Sequence, residues 1–335
     1  MIKAFAFLVV LAVAGAGLFG WTDYNKYLDT PVAIDASGTT FVIERGWSAS
    51  RVATELEQRG IISKRYWVDL YIRLSEKAVS IKTGEYVLQG PLTVPQLFAT
   101  FVEGQTVQYS SSIIEGLNWK QTLARLANSD DLTHTLGDPS QLSEQSLMSA
   151  LGFPDLHPEG VFFADTYAFP RGTTDVQYLQ RAKLAMDKVL AEEWDARDPD
   201  LPLKTPYEAL ILASIVEKET AVPAERPLIA GVFLSRMNKR MRLQTDPTVI
   251  YGMGDDFDGN IRRKDLRTDT PYNTYTRAGL PPTPISMVGR EAINAVLQPD
   301  TTDYLYFVAR GDGTHQFSQT LEQHNAAVRK YQLKR

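Results

Sequence analysis

Residues 4–20 form an uncharged, almost wholly apolar run between Lys3 and Trp21. At roughly 17 residues, the run reaches the short end of the length that spans a bilayer as a helix. Inside lipid each backbone N–H and C=O must be satisfied within the segment, so a lone span has to be helical. Lys3 is the only charge before the run, and Asp23 follows it. The positive-inside rule therefore places the N-terminus in the cytoplasm and the rest of the chain outside, with Trp21 and Tyr24 at the outer interface. Ala14-Gly15-Ala16 resembles the A-x-A site of a cleaved signal peptide. Gly17-Leu18-Phe19-Gly20-Trp21 carries the apolar run past that site, which favours a retained anchor. On either reading the bulk of the chain is exported.

Composition narrows what the exported part does. With 335 residues, 44% of them apolar and 22% charged, the chain is long enough for about two folded domains beyond the anchor. A net charge of -5 argues against a nucleic-acid partner, which favours a basic stripe. The chain has no cysteine, which excludes disulfides, thiol catalysis and cysteine-based zinc sites. Its four histidines show no HExxH pattern. His315 and His324 flank Phe317 and Glu322 without a third ligand at metal spacing, so no metal is expected. Gly311-Asp312-Gly313-Thr314 lacks the GxxxxGK[ST] pattern and reads as a hairpin turn. No cofactor is expected.

Residues 22–38 are polar and contain Pro31, as a juxtamembrane linker would. A strand at 41–43, helices at 48–59 and 66–74, a strand at 83–88 and a helix at 93–101 follow from the apolar spacing, with Gly60 as a stop and Thr93 as a cap. Strand, helix, helix, strand within about 50 residues describes a compact α+β module. Val42-Ile43-Glu44-Arg45-Gly46-Trp47-Ser48 is echoed by Ile113-Ile114-Glu115-Gly116-Leu117-Asn118-Trp119, each a strand, a turn at Gly and a helix start. The echo marks a second α/β segment, with a boundary near Tyr109.

Beyond it, residues 158–167 read as an apolar strand ending in polar groups, and 175–194 as a long amphipathic helix. Thr205-Pro206-Tyr207-Glu208 has the pattern of a capping box with Pro at the first helical position, and Pro223 closes the helix it opens. Residues 229–237 continue as a helix, and the Pro-rich stretch 270–284 is an ordered loop. A buried strand at 304–309 and a helix at 321–331 complete the chain.

The helix opened by Thr205 carries Ala213-Ser214-Ile215-Val216-Glu217-Lys218-Glu219-Thr220. Glu217 directly follows an apolar run. A carboxylate there is costly unless it is paired or used, and burial raises its pKa towards that of a proton donor at neutral pH. Glu219 lies roughly 200° round the helix, so the two carboxylates do not share a face. The bland alternative is a pair of surface charges at a helix end. Asp246 precedes Pro247, which holds it extended, so it either orients a substrate hydroxyl or serves a turn or cap. The stretch from Pro271 through Tyr272, Asn273, Thr274 and Tyr275 to Pro282 combines rings that stack on sugar faces with amides that bond hydroxyl and N-acetyl groups. A Pro-stiffened loop packed on the core is the competing reading.

Six stretches together resemble the endolytic murein transglycosylase family, also called MltG or YceG-like. They are EGVFFADTY (159–167), ASIVEKET (213–220), IAGVFLSRM (229–237), MRLQTDPTVIYG (241–252), PYNTYTRAGLPPTPI (271–285) and LYFVARGDGTHQFSQTLEQHN (305–325). They occur in the family's order and are spread over residues 159–325. The chain departs from the family pattern at Ala164, at Ser235 and Met237, at Arg240, where Gly is frequent, and at Ser286-Met287-Val288-Gly289.

The resemblance implies an α+β protein with an N-terminal transmembrane helix, a small LysM-like α/β module and a larger mixed α+β catalytic domain. The implied layout is an anchor at 1–21, a linker at 22–38, the LysM-like module at 39–106 and the catalytic domain at 107–335. It also implies cleavage of the MurNAc–GlcNAc β-1,4 linkage within nascent glycan strands, leaving a 1,6-anhydro-MurNAc end and terminating glycan elongation. The enzyme would be a single-pass protein of the inner membrane with a cytoplasmic N-terminus and a periplasmic catalytic domain, and peptidoglycan synthases are candidate partners. Glu217 corresponds to the family's catalytic Glu. Gln244, Thr245, Asp246, Tyr251, Tyr272, Asn273 and Tyr275 are the candidates for binding the sugar. Two rivals remain: a hydrolase of the same bond with Asp246 as base for water, and a non-enzymatic peptidoglycan-binding scaffold.

Overall fold

The structure is a computed structural model that describes residues 2–35, 37–75 and 80–333, with the side chains of residues 2–4 left aside. Met1 and the side chain of Lys3, on which the expected orientation rests, lie outside that description. Helix α1 (Ile2–Asp29) is long and apolar enough to cross a membrane, with a mean hydropathy of 2.0 in its most apolar stretch. Phe5, Phe7, Leu8, Leu18 and Phe19 are exposed along it. The helix does not stop at Trp21 but runs into the stretch read as a linker. No Gly or Pro follows Gly20 until Pro31, which disfavours helical backbone in the residue before it. Asp23 in this extension accepts from Lys64 Nζ and Trp67 Nε1, each at 2.9 Å.

Two compact units divide the chain: Met1–Tyr109 with Phe169–Gly172, and Ser110–Ala168 with Thr173–Arg335. The first contains β1 (Thr39–Ile43), α2 (Ala49–Gln58), α3 (Arg65–Leu74), β2 (Gly84–Leu88) and α4 (Val94–Glu103). Strands β1 and β2 pair antiparallel with Phe41 opposite Tyr86. Phe41, Ile43, Tyr86 and Leu88 are buried with Val52, Leu56, Leu97 and Phe101 in a core of their own. Ser48 caps α2 by accepting from Arg51 N at 3.2 Å, and Thr93 with Gln96 forms the capping box of α4.

The remaining elements are β3 (Gln108–Ser112), α5 (Trp119–Leu126), α6 (Glu144–Ala150), β4 (Thr166–Pro170), α7 (Asp175–Asp195), α8 (Pro206–Glu219), α9 (Arg226–Asn238), α10 (Asp246–Met253), α11 (Arg290–Leu297), β5 (Tyr306–Ala309), β6 (His315–Ser318) and α12 (Leu321–Tyr331). Strand β3 pairs with β4, and β5 with β6 in an antiparallel hairpin. The architecture is mixed α+β, with helices supplying the core of the second unit.

Helix α8 is the axis of that core. Every residue from Ala209 to Val216 is buried, and α7, α9 and α11 pack around it. A helix apolar on all sides must be enclosed in this way, which is why α8 shows no amphipathic stripe. Thr205 caps it by accepting from Glu208 N at 3.2 Å. The return half of the expected capping box shifts by one residue, because Glu208 accepts from Lys204 N at 2.6 Å.

The stretch read as an apolar strand at 158–167 is instead an irregular buried path, and β4 starts only at Thr166. Val161, Phe162, Phe163 and Ala164 are all buried in succession, which a strand with one solvated face does not allow. Their backbone bonds go to non-strand partners: Phe163 N to Ala182 O and Ala164 N to Val288 O, each at 3.1 Å. Gly160 starts the path with φ +75, and a Cβ there would lie 2.5 Å from Pro284 Cβ. Arg240 also sits in the left-handed region, at φ +54, a conformation that favours Gly.

Ser214 links α8 to the segment that leads into α11. Its hydroxyl donates to Ile211 O at 2.7 Å and accepts from Ile285 N at 2.9 Å, and the Ser286 hydroxyl donates to Ser214 O at 3.3 Å. Ser214→Ala would leave the buried Ile285 N–H without a partner, a loss of about 1–3 kcal/mol. Urea unfolding should show the midpoint falling at constant slope; an unchanged midpoint would mean that another acceptor replaces the hydroxyl.

Candidate active site

The C-terminal end of α8 emerges beside three chain segments. Residues 113–117, between β3 and α5, run alongside 286–289, before α11. Gly116 N donates to Met287 O at 2.9 Å and Met287 N donates to Leu117 O at 2.7 Å. Ala164 and Asp165 join both segments, with Ala164 N donating to Val288 O at 3.1 Å and Ile113 N to Asp165 O at 3.0 Å. Lys218 Nζ donates to Gly116 O at 3.0 Å and ties the helix end to the first segment.

Glu217 faces into this junction. Its side chain is only 4% exposed, so the reading as a surface charge does not hold. Arg226 Nη2 donates to its Oε1 at 3.0 Å, and Gly289 N, at the start of α11, donates to its Oε2 at 3.3 Å. The same Arg226 nitrogen lies 3.7 Å from Glu115 Oε2. Burial pushes the Glu217 carboxyl above the usual range; Arg226 pulls against that shift, and Glu115 adds to it by like-charge repulsion. The net upward direction means that desolvation outweighs the ion pair.

Open surface adjoins the cluster. Glu115, Asp165, Thr166, Arg290 and Glu291 line a cavity of about 650 Å³. Arg226, Arg290, Glu291 and Asn294 line another of about 330 Å³. Arg290 and Glu291 belong to both. Arg290 is held by Glu192 at 2.6 Å and Glu193 at 2.7 Å. The arrangement is a sheltered carboxyl with a raised pKa, set at the edge of an open depression of mixed apolar and charged lining.

Glu219 has different company. Its carboxyl accepts from the Thr245 hydroxyl, and burial pushes its pKa up to about 7. It shares no described bond with Glu217, in keeping with their separation around the helix.

The other sequence candidates fall into two groups, one around Thr245 and one around Tyr251. Gln244 is exposed, has φ +53 and donates its N–H to Thr274 O at 3.2 Å. Non-glycine residues rarely adopt that conformation, and such backbone strain concentrates at functional sites. Thr245 is buried, and its N–H donates to the Thr274 hydroxyl at 3.1 Å. Asp246 is neither cap nor turn residue. It is the first residue of α10, and its carboxylate accepts from the Tyr275 hydroxyl at 2.6 Å. Asn273 is buried, with its amide N–H groups donating to Thr268 O at 2.7 Å and Asp265 O at 3.1 Å; it holds the 265–276 loop together. Tyr251 packs edge-on against Tyr272 at 4.8 Å and donates to Glu159 Oε2 at 2.9 Å, while Tyr272 shares a 2.9 Å hydrogen bond with Thr283. Glu159 is itself fully buried, which raises its carboxyl pKa to about 8. Gln244, Thr245, Asp246, Asn273 and Tyr275 thus form one network, joined to the end of α8 through Glu219, while Tyr251 and Tyr272 form a pair bonded to Glu159 and Thr283.

The chain belongs to the YceG-like family, whose sequence pattern matches residues 41–330. It is 31% identical to the endolytic murein transglycosylase of Bacillus subtilis strain 168, an alignment covering 96% of this chain and 91% of that protein. It is 29% identical to the endolytic murein transglycosylase of Streptococcus pneumoniae serotype 2 strain D39, covering 98% of this chain but 65% of the longer relative. A crystal structure described as that of a YceG-like protein from Listeria monocytogenes superposes with a TM-score of 0.55 at 31% identity, covering 87% of this chain and 99% of that one.

Arg226, Gly289 and Glu115, which surround Glu217, were not legible as site residues. Arg226 comes nine positions after Glu217, beyond the turn at Pro223, where no periodicity applies. Glu115 did carry a signal, since it lies inside the strand–Gly–helix echo. The echo indicates a repeated local structure and is silent about what that loop faces.

Proposed function

We propose that the chain is a membrane-anchored endolytic lytic transglycosylase that cuts the MurNAc–GlcNAc β-1,4 bond within nascent peptidoglycan strands. The observation that carries the reading is the environment of Glu217: a buried carboxyl with a raised pKa, fixed by Arg226 and Gly289 N–H beside an open depression. Family membership and the names of the relatives support the substrate class.

The chemistry follows from one residue acting twice. Protonated Glu217 donates to the glycosidic oxygen as the bond from C1 of MurNAc breaks, and the GlcNAc side leaves with that proton. Positive charge builds at C1, where the substrate's own N-acetyl group stabilises it. Ionised Glu217 then removes the proton from the C6 hydroxyl as O6 bonds to C1, which closes the 1,6-anhydro ring and restores the acid. The attack is intramolecular, so the proximity advantage comes with the substrate and no activated water is required.

Gln244, Asp246 and Tyr275 contact the glycan in this reading, with Thr245, Tyr251, Tyr272 and Asn273 holding their loop. The accompanying layout is an anchor at 1–21, a linker at 22–38, a LysM-like module at 39–106 and a catalytic domain at 107–335. The β–α–α–β order with antiparallel strands supports the LysM-like assignment. The length and apolarity of α1 support a single-pass anchor, with the catalytic domain outside the inner membrane and the N-terminus inside.

Product mass tests the reaction. On uncross-linked nascent glycan strands the new ends should be anhydro ends, lighter by one water than the reducing ends of hydrolysis. Reducing ends would assign a hydrolase, and retention on cell-wall sacculi without released fragments would assign a binding scaffold.

A further inference from the structure

We propose that Glu115 is the second carboxylate of this site, the anionic partner that stabilises positive charge at the reacting carbon while Glu217 moves the proton. The proposal rests on the assignment of Glu217 as acid and base.

Three observations place Glu115 in that role. The first is its position relative to Glu217. One Arg226 nitrogen reaches Glu217 Oε1 at 3.0 Å and Glu115 Oε2 at 3.7 Å, so those two oxygens are no more than about 7 Å apart. That ceiling lies below the upper end of the spacing, about 5–9.5 Å, of carboxyl pairs that flank a scissile glycosidic bond. The second is its attachment. A Cβ on Gly289 would collide with the Glu115 carboxylate, so this carboxylate lies against the same backbone residue whose N–H binds Glu217. The backbone bonds between Gly116 and Met287 and between Leu117 and Met287 hold the loop there. The third is access. Glu217 is 4% exposed, whereas the Glu115 side chain is 41% exposed and lines the 650 Å³ cavity. Glu115 can therefore meet a bound sugar face while Glu217 stays sheltered.

Charge accounts for why such a partner is needed. Arg226 is buried and carries a full positive charge beside the proton donor. Alone, that charge would oppose the cationic character that develops at C1 when the bond breaks. Glu115 offsets it from the open side. The other charged groups around Glu217 are otherwise engaged or directed. Lys218 bonds Gly116 O, Arg290 pairs with Glu192 and Glu193, and Asp165 and Glu291 line the cavity. Among the described residues, the carboxylates within 4.0 Å of Arg226 are Glu115 and Glu217. The charge on Glu115 also works in the same direction as burial in raising the Glu217 pKa.

The test is a pH–rate profile of the full chain on uncross-linked nascent glycan strands, with product masses, for wild type, Glu115→Gln, Glu115→Asp and Glu217→Gln. Glu115→Gln should lower kcat by about 10- to 100-fold and leave KM within about threefold. Removing the negative charge lowers the pKa of Glu217, and the acid must be protonated to act. The alkaline limb of the Glu115→Gln profile should therefore move to lower pH. Glu115→Asp, which keeps the charge one methylene further back, should recover part of kcat and keep the limb in place. The limb shift by itself reports the charge beside Glu217; a fall in the plateau kcat at unchanged KM is what a role at the reacting carbon adds to it.

Wild-type kcat with an unmoved limb in Glu115→Gln, alongside an inactive Glu217→Gln, overturns the proposal and leaves the acid assignment intact. A fully active Glu217→Gln removes the reading on which both depend. Wild-type products with reducing ends that disappear in Glu115→Gln would make Glu115 a base for water, which also overturns the proposal. If Glu115→Gln does not fold, Glu115→Asp decides: a reduced kcat with the limb in place supports the role, and an unchanged kcat overturns it.

Discussion

Glu217→Gln should cleave glycan strands at least about 10³-fold more slowly than wild type while remaining folded. A single positioned acid or base contributes about 10²–10⁴-fold to a rate, and here the same group serves both steps, so its loss falls at the upper part of that range. The substitution preserves shape. The Gln amide oxygen can still accept from Gly289 N–H or from Arg226, although the amide nitrogen cannot accept the second of these bonds. Exposure of only 4% makes the site sensitive to that mismatch, so thermal unfolding should be measured beside activity. A folded variant with wild-type turnover would remove Glu217 from the chemistry. A variant with a wild-type melting temperature and no turnover would separate catalysis from structure.

Arg226→Met should destabilise the protein by roughly 3–5 kcal/mol at neutral pH, because it leaves a buried carboxylate without its partner. Both side chains of the pair are sheltered, 10% exposed for Arg226 and 4% for Glu217. Little of the interaction is therefore lost to solvent screening. The pH dependence has a definite sign. Burial already holds the Glu217 pKa above its unfolded value, and loss of Arg226 raises it further. A carboxyl with a raised folded pKa costs stability once pH exceeds its unfolded pKa, because the unfolded chain ionises first. The penalty should therefore be largest at pH 7–8 and shrink below about pH 4.3, where Glu217 is protonated in both states. Urea unfolding at pH 4 and pH 7.5 measures the difference. Equal destabilisation at the two values would show that packing of the long side chain, and not its charge, is what Arg226 supplies.

Much of the fold was legible along the chain. Thr205-Pro206 marked the start of α8, the residues after Thr320 carried the whole of α12, and Gly311-Asp312-Gly313 marked the β5–β6 turn. These are local signals: caps, fixed backbone angles and apolar spacing act within a few residues. The misses share the opposite property. The stretch 158–165 has the composition of a strand, but its backbone partners lie near residues 182 and 288, and they hold it in an irregular path. Asp246 had the sequence context of a turn or cap, yet it opens α10 and pairs with Tyr275, 29 positions away.

The site divides in the same way. The sequence by itself determined that a carboxyl would follow the apolar stretch of α8, that Glu219 would point elsewhere, and that an apolar N-terminal helix would precede the folded units. Helical periodicity and hydrophobicity are properties of neighbouring residues, so a single chain displays them. Only the tertiary structure decided that Glu217 is buried and not a surface charge, that Arg226 and Gly289 hold it, and that Glu115 shares its arginine. Those relations depend on four segments meeting at one point. Electrostatic coupling falls off with distance through space and desolvation depends on what encloses a group, and neither is written in sequence separation.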